Sequence, residues 1–120
     1  MTPKAKTARP AMPAGVTISN VPDARRYEAR IGEELAGWVD YGRVRARLVA
    51  LHTEVLPEYG GRGIGSALVR HVIAEARSEG FTITPRCPLF RTHFERHPED
   101  AAVNADHGRE VEGDGPGDEA

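Results

Sequence analysis

The chain has 120 residues, of which 39% are hydrophobic, 28% charged and 6% aromatic, and its formal net charge is −2. This length and composition favour one small globular domain and leave no room for a second domain of ordinary size. The longest apolar run covers residues 48–51, far fewer than the roughly 20 residues that cross a bilayer, so no membrane-spanning helix is expected. The first fifteen residues lack the apolar stretch of a secretory signal, so we expect a cytoplasmic protein.

Charge is unevenly distributed along the chain and suggests where the domain begins and ends. Residues 1–15 contain three basic side chains and no acidic group, whereas residues 99–120 contain eight acidic groups and one arginine. Both ends have too little apolar surface to offset the entropy of ordering them. We therefore predict a flexible basic arm over 1–15, a folded domain over 16–100 and a disordered acidic tail over 101–120.

Apolar and polar residues alternate in the first half of the domain. The alternation predicts strands over 26–31 and 35–41, joined by a turn at 32–34, and a longer, more apolar strand over 44–55. Strands joined by such short connections form an antiparallel meander.

A short row of arginines raises the possibility of nucleic-acid binding. Alternation places Arg43, Arg45 and Arg47 on one strand face, which makes a weak cationic stripe. No aromatic side chain lies between them as a stacking platform, and the acidic tail opposes binding to a polyanion. We therefore expect no nucleic-acid partner.

After the meander, the apolar period changes from two residues to about 3.6. This period predicts a helix from Ile64 to a stop at Gly80, then a short strand over 81–84 and a second helix over 89–97 that Pro98 ends. A right-handed crossover through the first helix would make the long strand and the short strand parallel neighbours. The predicted fold class is α+β (α/β), a mixed sheet with an antiparallel meander, a strand-helix-strand crossover and a C-terminal helix.

A glycine-rich turn joins the long strand to the first helix. Residues 60–66 read Gly-Gly-Arg-Gly-Ile-Gly-Ser, and such glycines permit positive φ and a close approach of a ligand to the backbone. The unpaired N–H groups and positive dipole end of the following helix favour phosphate oxygens, and Arg62 adds a positive charge. The alternative interpretation is that the glycines only close a tight turn.

Two phosphate-binding motifs do not fit this turn. A nucleoside-triphosphate loop ends in Gly-Lys-Ser/Thr, whereas Gly65 and Ser66 are adjacent here with no lysine. A dinucleotide fingerprint needs a third small residue, and Leu68 occupies that position.

The turn and its flanks together resemble the GNAT-type N-acetyltransferases, in particular their minimal single-domain branch. The family signature is Q/R-x-x-G-x-G/A, in which Gly63 and Gly65 supply the two glycines, while Gly60 stands where the family has Gln or Arg. The flanking segments that carry the resemblance are 52–55, 86–88 and 96–99, and the similarity extends from Tyr27 to Glu99.

The resemblance implies an acetyl-CoA-dependent transferase that acetylates a primary amine of a small molecule or of a protein lysine, by direct attack in a ternary complex. The alternative is a regulatory module that binds CoA with little turnover. The resemblance also implies a set of cofactor-binding residues along the pantetheine arm and the pyrophosphate: Thr53, Val55, Gly60, Gly61, Arg62, Gly63, Ile64, Gly65, Ser66, Phe90 and Phe94. It leaves Phe90 and Phe94 with a second possible role as core residues.

The candidate catalytic residues are His52, Glu54 and Cys87. Strand alternation places Ala50, His52 and Glu54 on one face, so His52 or Glu54 is positioned to take the proton of the amine, although a strand histidine is often structural. Cys87 is the only cysteine, which excludes an internal disulfide. The resemblance places it near the acetyl sulfur, as an acetyl carrier, as a proton donor to the CoA thiolate, or as a buried inert side chain.

The second helix carries further polar candidates. His93 and His97 are spaced i,i+4 as two metal ligands can be, but no third ligand accompanies them, so we expect no metal site. Arg91 and Arg96 are placed to reach the 3′-phosphate of CoA, with solvated surface arginines as the alternative.

Overall fold

The structure is a computed structural model that describes residues 15–106. Its sheet contains five strands, β1 (Val16–Val21), β2 (Arg26–Ile31), β3 (Glu34–Val44), β4 (Arg47–Val55) and β5 (Thr82–Pro85). Two helices, α1 (Ile64–Glu79) and α2 (Pro88–Arg96), follow β4 and β5, and short 3₁₀ turns cover Pro22–Ala24, Pro57–Tyr59 and Pro98–Val103. None of the helices within the described range is long and apolar enough to span a membrane.

The strands lie in the order β1-β2-β3-β4-β5, antiparallel up to β4, and β5 pairs with β4 in parallel. The helix α1 contacts all five strands, and α2 contacts α1, β4 and β5. Both helices therefore cover the same face of the sheet. The predicted mixed sheet with its parallel crossover is confirmed.

Strand β1 is absent from the sequence-based prediction. It pairs with β2 along its whole length, yet only Ile18 is buried, because an edge strand exposes most of its side chains. Apolar and polar residues alternate only over residues 16–19 of this segment, which is at the lower limit of length for a strand signal. The predicted basic arm lies outside the described residues, apart from Gly15.

The predicted strand over 44–55 contains a turn that the sequence did not indicate. Val44 ends β3, Arg45 turns with a φ of 56° and Arg47 begins β4. Arg43 instead lies over the ring of Phe81, with 4.3 Å from its Cζ to the ring centroid. The three arginines are on two strands and a turn, so the predicted cationic stripe on one strand face is wrong.

The first residues of the predicted acidic tail belong to the folded domain. Asp100 is buried and accepts hydrogen bonds from Arg77 and from His93, the latter at 2.8 Å. Beyond it, Val103 is buried, and the N–H of Ala105 donates to the carbonyl of Ile83 at 2.8 Å. Residues 101–106 therefore pack against the domain, and the rest of the predicted tail lies outside the described residues.

The core lies between the sheet and α1, and one polar bridge crosses it. The Tyr27 hydroxyl on β2 donates to Glu75 on α1 at 2.8 Å, and burial, followed by this hydrogen bond, raises the pKa of Tyr27. The hydroxyl therefore stays protonated and remains a donor. The tyrosine ring, fully enclosed in the core, fixes α1 across the sheet.

A β-bulge in β4 shifts the side-chain alternation just before the strand ends. Asp40 pairs with His52 and Tyr41 pairs with Ala50, so β4 contains one extra residue, Leu51. Ala50 is buried, whereas Leu51 and His52 are both exposed. The prediction that Ala50 shares a face with His52 is therefore wrong, because the extra residue moves His52 to the opposite face.

Gly37 on β3 sets how closely β3 and β4 approach each other. An ideal Cβ on Gly37 would lie 2.7 Å from the carbonyl oxygen of Glu54, whereas a Cβ on Gly42 of the same strand meets nothing within 4 Å. We expect Gly37→Ala to lower the free energy of unfolding by about 2 kcal/mol through overpacking. Urea denaturation measures the change.

Gly42→Ala is the matched control and should change the stability by less than about 0.5 kcal/mol. Equal losses for the two variants would contradict the steric interpretation of Gly37.

Candidate active site

The parallel strands β4 and β5 separate at a fork. Their pairing ends at Ala50 and Pro85, but β4 continues to Val55. The carbonyl oxygen of Ala50 accepts two N–H groups, from Arg86 at 3.0 Å and from Cys87 at 2.9 Å. These two bonds turn the chain out of the sheet and into α2, so the last residues of β4 have β3 on one side and no β5 on the other.

Backbone groups of β4 face into this fork. The N–H of Leu56 donates to the carbonyl of Ala36 on β3, at 2.9 Å. Because successive N–H groups of a strand point to opposite edges, those of Thr53 and Val55 point away from β3 and into the fork. These two residues, predicted as pantetheine contacts, therefore offer the edge to which an extended ligand can add as a strand.

The glycine loop ends directly beside the fork. Gly61 and Gly63 have φ values of 78° and 79°, a region that favours glycine, and the space where their Cβ atoms would lie is open. Gly63 is the N-cap of α1 and supplies no side-chain cap, so the first N–H groups of the helix are available to an anion.

Gly65 joins the loop to the fork. A Cβ there would lie 3.7 Å from Val55 and 3.6 Å from Leu89, so the first turn of α1 packs between the end of β4 and the start of α2. Ser66, in the same turn, is exposed. The side chain of Ile64 is buried in the core, which leaves only its backbone to face a ligand.

Gly60 and Arg62, both predicted to bind the pyrophosphate, make contacts with other residues of the loop. The N–H of Gly60 donates to the carbonyl of Pro57 at 3.1 Å and is not available to a ligand. Arg62 lies over the ring of Tyr59, with its Cζ 5.5 Å from the ring centroid, and the Tyr59 hydroxyl donates to Glu34. That hydrogen bond raises the pKa of Tyr59, which therefore stays neutral. Tyr59 was not among the predicted site residues, although its i,i+3 spacing from Arg62 indicated a contact between the two side chains.

His52 and Glu54 form a pair on the sheet face opposite the helices. Nε2 of His52 lies 2.8 Å from Oε1 of Glu54, and both side chains are substantially exposed. On β3, Asp40 is paired with His52 and Trp38 with Glu54. The structure thus brings the two predicted base candidates together, within one or two residues of the backbone groups that line the fork.

Cys87 lies at the base of the fork on the other face. It is 2% exposed, and its Sγ lies 3.1 Å from the hydroxyl oxygen of Thr53. Its carbonyl accepts the N–H groups of Phe90 and Arg91, so it also begins α2. The contact with Thr53 ties α2 to β4, which is a structural reason for a small side chain with a weak donor at this position.

Phe90 and Phe94 pack in the hydrophobic core. Phe90 has no exposed surface and Phe94 is 9% exposed, and both belong to the hydrophobic core. Of the two roles left open for them, the structure shows the core role, and their contact with pantetheine stays a prediction. Their spacing on α2 is that of an apolar helix face.

A groove separates the two helices beyond the loop. Its lining residues come from the first turns of α1 and from one side of α2: Ser66, Val69, Leu89, Thr92, His93, Arg96 and His97. Arg91 is not among them and donates to the carbonyl of Arg86 at 2.8 Å. Across residues 15–106, no group of three His, Cys, Asp or Glu side chains could hold a metal ion.

Comparison with known proteins identifies the family of this chain. Residues 26–103 match the family model described as GCN5-related N-acetyl-transferase. The chain therefore belongs to this acetyltransferase family, as the resemblance indicated.

Among solved structures, the chain is similar to the ribosomal-protein-S18-alanine N-acetyltransferase from Escherichia coli. The two are 16% identical with a TM-score of 0.47, and the match covers 71% of this chain and 49% of that one. The chain thus spans about half the length of that structure. No curated protein matches it.

The two signature glycines should respond differently to alanine. Gly63→Ala forces a side chain into a positive φ and should lower the free energy of unfolding by about 1–2 kcal/mol. Gly65→Ala adds only ordinary van der Waals contacts within a helix and should cost nothing, because alanine favours the helix by about 0.5–1 kcal/mol over glycine. Urea denaturation compares them, and a larger loss for Gly65→Ala would contradict the described loop.

Proposed function

We propose that the protein transfers the acetyl group of acetyl-CoA to a primary amine, of a small molecule or of a protein lysine, by direct attack in a ternary complex. The observation that carries this proposal is the fork itself. The free edge at Thr53 and Val55, the uncapped start of α1 and the pair of His52 and Glu54 all lie around it.

Acetyl-CoA fits these groups in one direction. Its pyrophosphate suits the N–H groups of residues 63–66, where the helix dipole favours negative charge. Its pantetheine arm carries amides that can pair with the edge at Thr53 and Val55. The thioester would then lie in the fork, where the N–H of Val55 is the donor for its carbonyl oxygen, and that hydrogen bond becomes stronger as the oxygen gains negative charge.

The amine approaches from the sheet face opposite the helices. On that face Arg26 and Arg30 are both bound to Glu28 at 2.8 Å, whereas Glu54 lies on the strand that borders the fork and Asp40 is paired with His52 from β3. The hydrogen bond from Arg30 is the main cause that holds the pKa of Glu28 below its usual value, so Glu28 stays charged and compensates one of the two arginine charges. The carboxylates of Asp40 and Glu54 outnumber the positive charge that remains, which favours a cationic acceptor.

The reaction needs a base and a leaving group. The pair of His52 and Glu54 accepts a proton from the ammonium, and the free amine nitrogen attacks the carbonyl carbon of the thioester. The bond from carbon to sulfur then breaks, and the second proton that the acetylated nitrogen loses is taken up by the departing CoA thiolate. Cys87 is enclosed and bound to Thr53, which favours direct transfer over an acetyl-cysteine intermediate.

Amine-dependent release of free CoA thiol from acetyl-CoA tests the proposal. We expect release with a panel of polyamines and lysine peptides, and release at a rate independent of any amine would contradict it. Binding of CoA without turnover would instead favour the regulatory module that has the same cofactor edge. The class of the acceptor amine stays a prediction, as does the cytoplasmic location expected from the sequence.

Glu54→Gln and His52→Gln should each lower the amine-dependent rate by about 100-fold, the usual contribution of a positioned base. The double variant should lose little more than either single variant, because the two side chains act as one unit. Initial rates at saturating acetyl-CoA, measured together with the affinity for CoA, compare the three variants with the unmodified protein.

Glu79→Gln is the matched control, because it removes an exposed carboxylate at the far end of α1. It should retain the full rate. Loss of CoA affinity in Glu54→Gln, or an acetyl adduct on Cys87 in the mass spectrum during turnover, would contradict the proposed mechanism.

A further inference from the structure

The two outermost strands of the sheet differ in how their outer edges are covered. The outer edge of β5 is covered by the chain that follows the last 3₁₀ turn, because Ile83 forms a bridge with Asn104 and accepts the N–H of Ala105 at 2.8 Å. No strand or isolated bridge within residues 15–106 pairs with the outer edge of β1. A row of backbone N–H and C=O groups therefore faces away from the domain along β1.

Strand β1 lacks the features that keep an exposed edge from pairing with another chain. Residues 16–21 read Val-Thr-Ile-Ser-Asn-Val, with no charged residue and no proline. The register of β1 with β2 is regular, whereas the pairs β2–β3 and β3–β4 each contain a register shift. Charges, prolines and bulges are the means by which edge strands avoid a further strand. The edge of β1 is therefore competent to accept one.

The sequence of β1 is complementary to itself in an antiparallel pair. When Ile18 lies opposite Ile18 of a second copy, Thr17 lies opposite Ser19, and Val16 lies opposite Asn20. Ile18 belongs to the core, so strand alternation keeps all three pairs on matching faces, with the isoleucines on the helix side and the exposed hydroxyl residues on the other. Pairs of Thr and Ser across two strands stabilise a sheet, and no like charges meet in this register.

The N-terminal segment of the chain is a poorer partner for the same edge. Residues 1–14 contain Pro3, Pro10 and Pro13, and each proline lacks the N–H that a strand ladder requires. The three basic side chains of this segment also find no charge on β1 to attract them. A second copy of β1 has neither disadvantage.

We propose that two copies of the protein associate through β1, as an antiparallel pair about a two-fold axis perpendicular to the sheet. The two sheets then form one continuous sheet, with the helices of both copies on the same face. Six residues of strand edge make a small interface, so the dimer is weak, with a Kd in the micromolar range. The inference does not depend on the proposed function, because β1 lies at the other end of the sheet from the fork.

Sedimentation equilibrium of the full chain over a range of concentrations tests the proposal, and we expect a monomer–dimer equilibrium. Ser19→Lys and Thr17→Asp should each raise the Kd about fivefold, because each places like charges diagonally across the two-fold axis. On β2, the new lysine lies opposite Glu28 and the new aspartate opposite Arg30, so both variants should keep the fold. Ser78→Lys adds the same charge to an exposed residue at the end of α1 and should keep the Kd of the unmodified protein.

A mixture of the two β1 variants tests the register itself. The proposed pairing places the new lysine of one copy opposite the new aspartate of the other, so the mixture should associate more tightly than either variant alone. A mixture that associates no more tightly overturns the register. A chain that is monomeric at every concentration overturns the proposal, as does a Kd for Ser19→Lys equal to that for Ser78→Lys. In such a monomer, slow hydrogen exchange of the outward-facing β1 amides would identify residues 1–14 as the segment that covers the edge.

Discussion

The carbonyl oxygen of Ala50 is the point on which the site depends. It accepts the N–H groups of two consecutive residues, Arg86 and Cys87, and this ends the parallel pairing while β4 still has five residues to run. A regular parallel ladder would have used the edge of Thr53 and Val55 for β5. Because the chain leaves the sheet at this point instead, the backbone edge of β4 at Thr53 and Val55 has no strand beside it. This edge lies next to the start of α1, which has no side-chain cap.

Two other elements come close to this point. Gly37 lets β3 approach the carbonyl of Glu54, and α1 starts against Val55 and Leu89 at Gly65, where there is room for a Cβ. The bulge at Leu51 then sends neighbouring side chains to opposite faces, Thr53 towards Cys87 and His52 towards solvent. A thioester bound in the fork as proposed would therefore have the amides at the start of α1 and the thiol of Cys87 on one side, and the pair of His52 and Glu54, the proposed base, on the other.

Much of this arrangement is readable in the sequence, and the rest has identifiable physical causes. The helix from Ile64 to its stop at Gly80 follows from its strong apolar period, and the glycine loop from its composition. Strand β1 was not predicted because it is a short edge strand that buries a single side chain. The bulge was not predicted because one extra residue leaves the apolar pattern nearly unchanged. The spacing of Phe90 and Phe94 in the sequence is equally consistent with packing in the core and with lining a ligand site. Only the packing in the structure shows that both belong to the core.

Amide chemical-shift mapping of the ¹⁵N-labelled protein during titration with CoA tests directly whether the cofactor lies in the fork. If it does, the largest shifts arise at Thr53, Val55 and residues 63–66, with saturation at one common affinity. Shifts confined to β1 and β2, or a fork whose amides do not respond to saturating CoA, would contradict this placement of the cofactor.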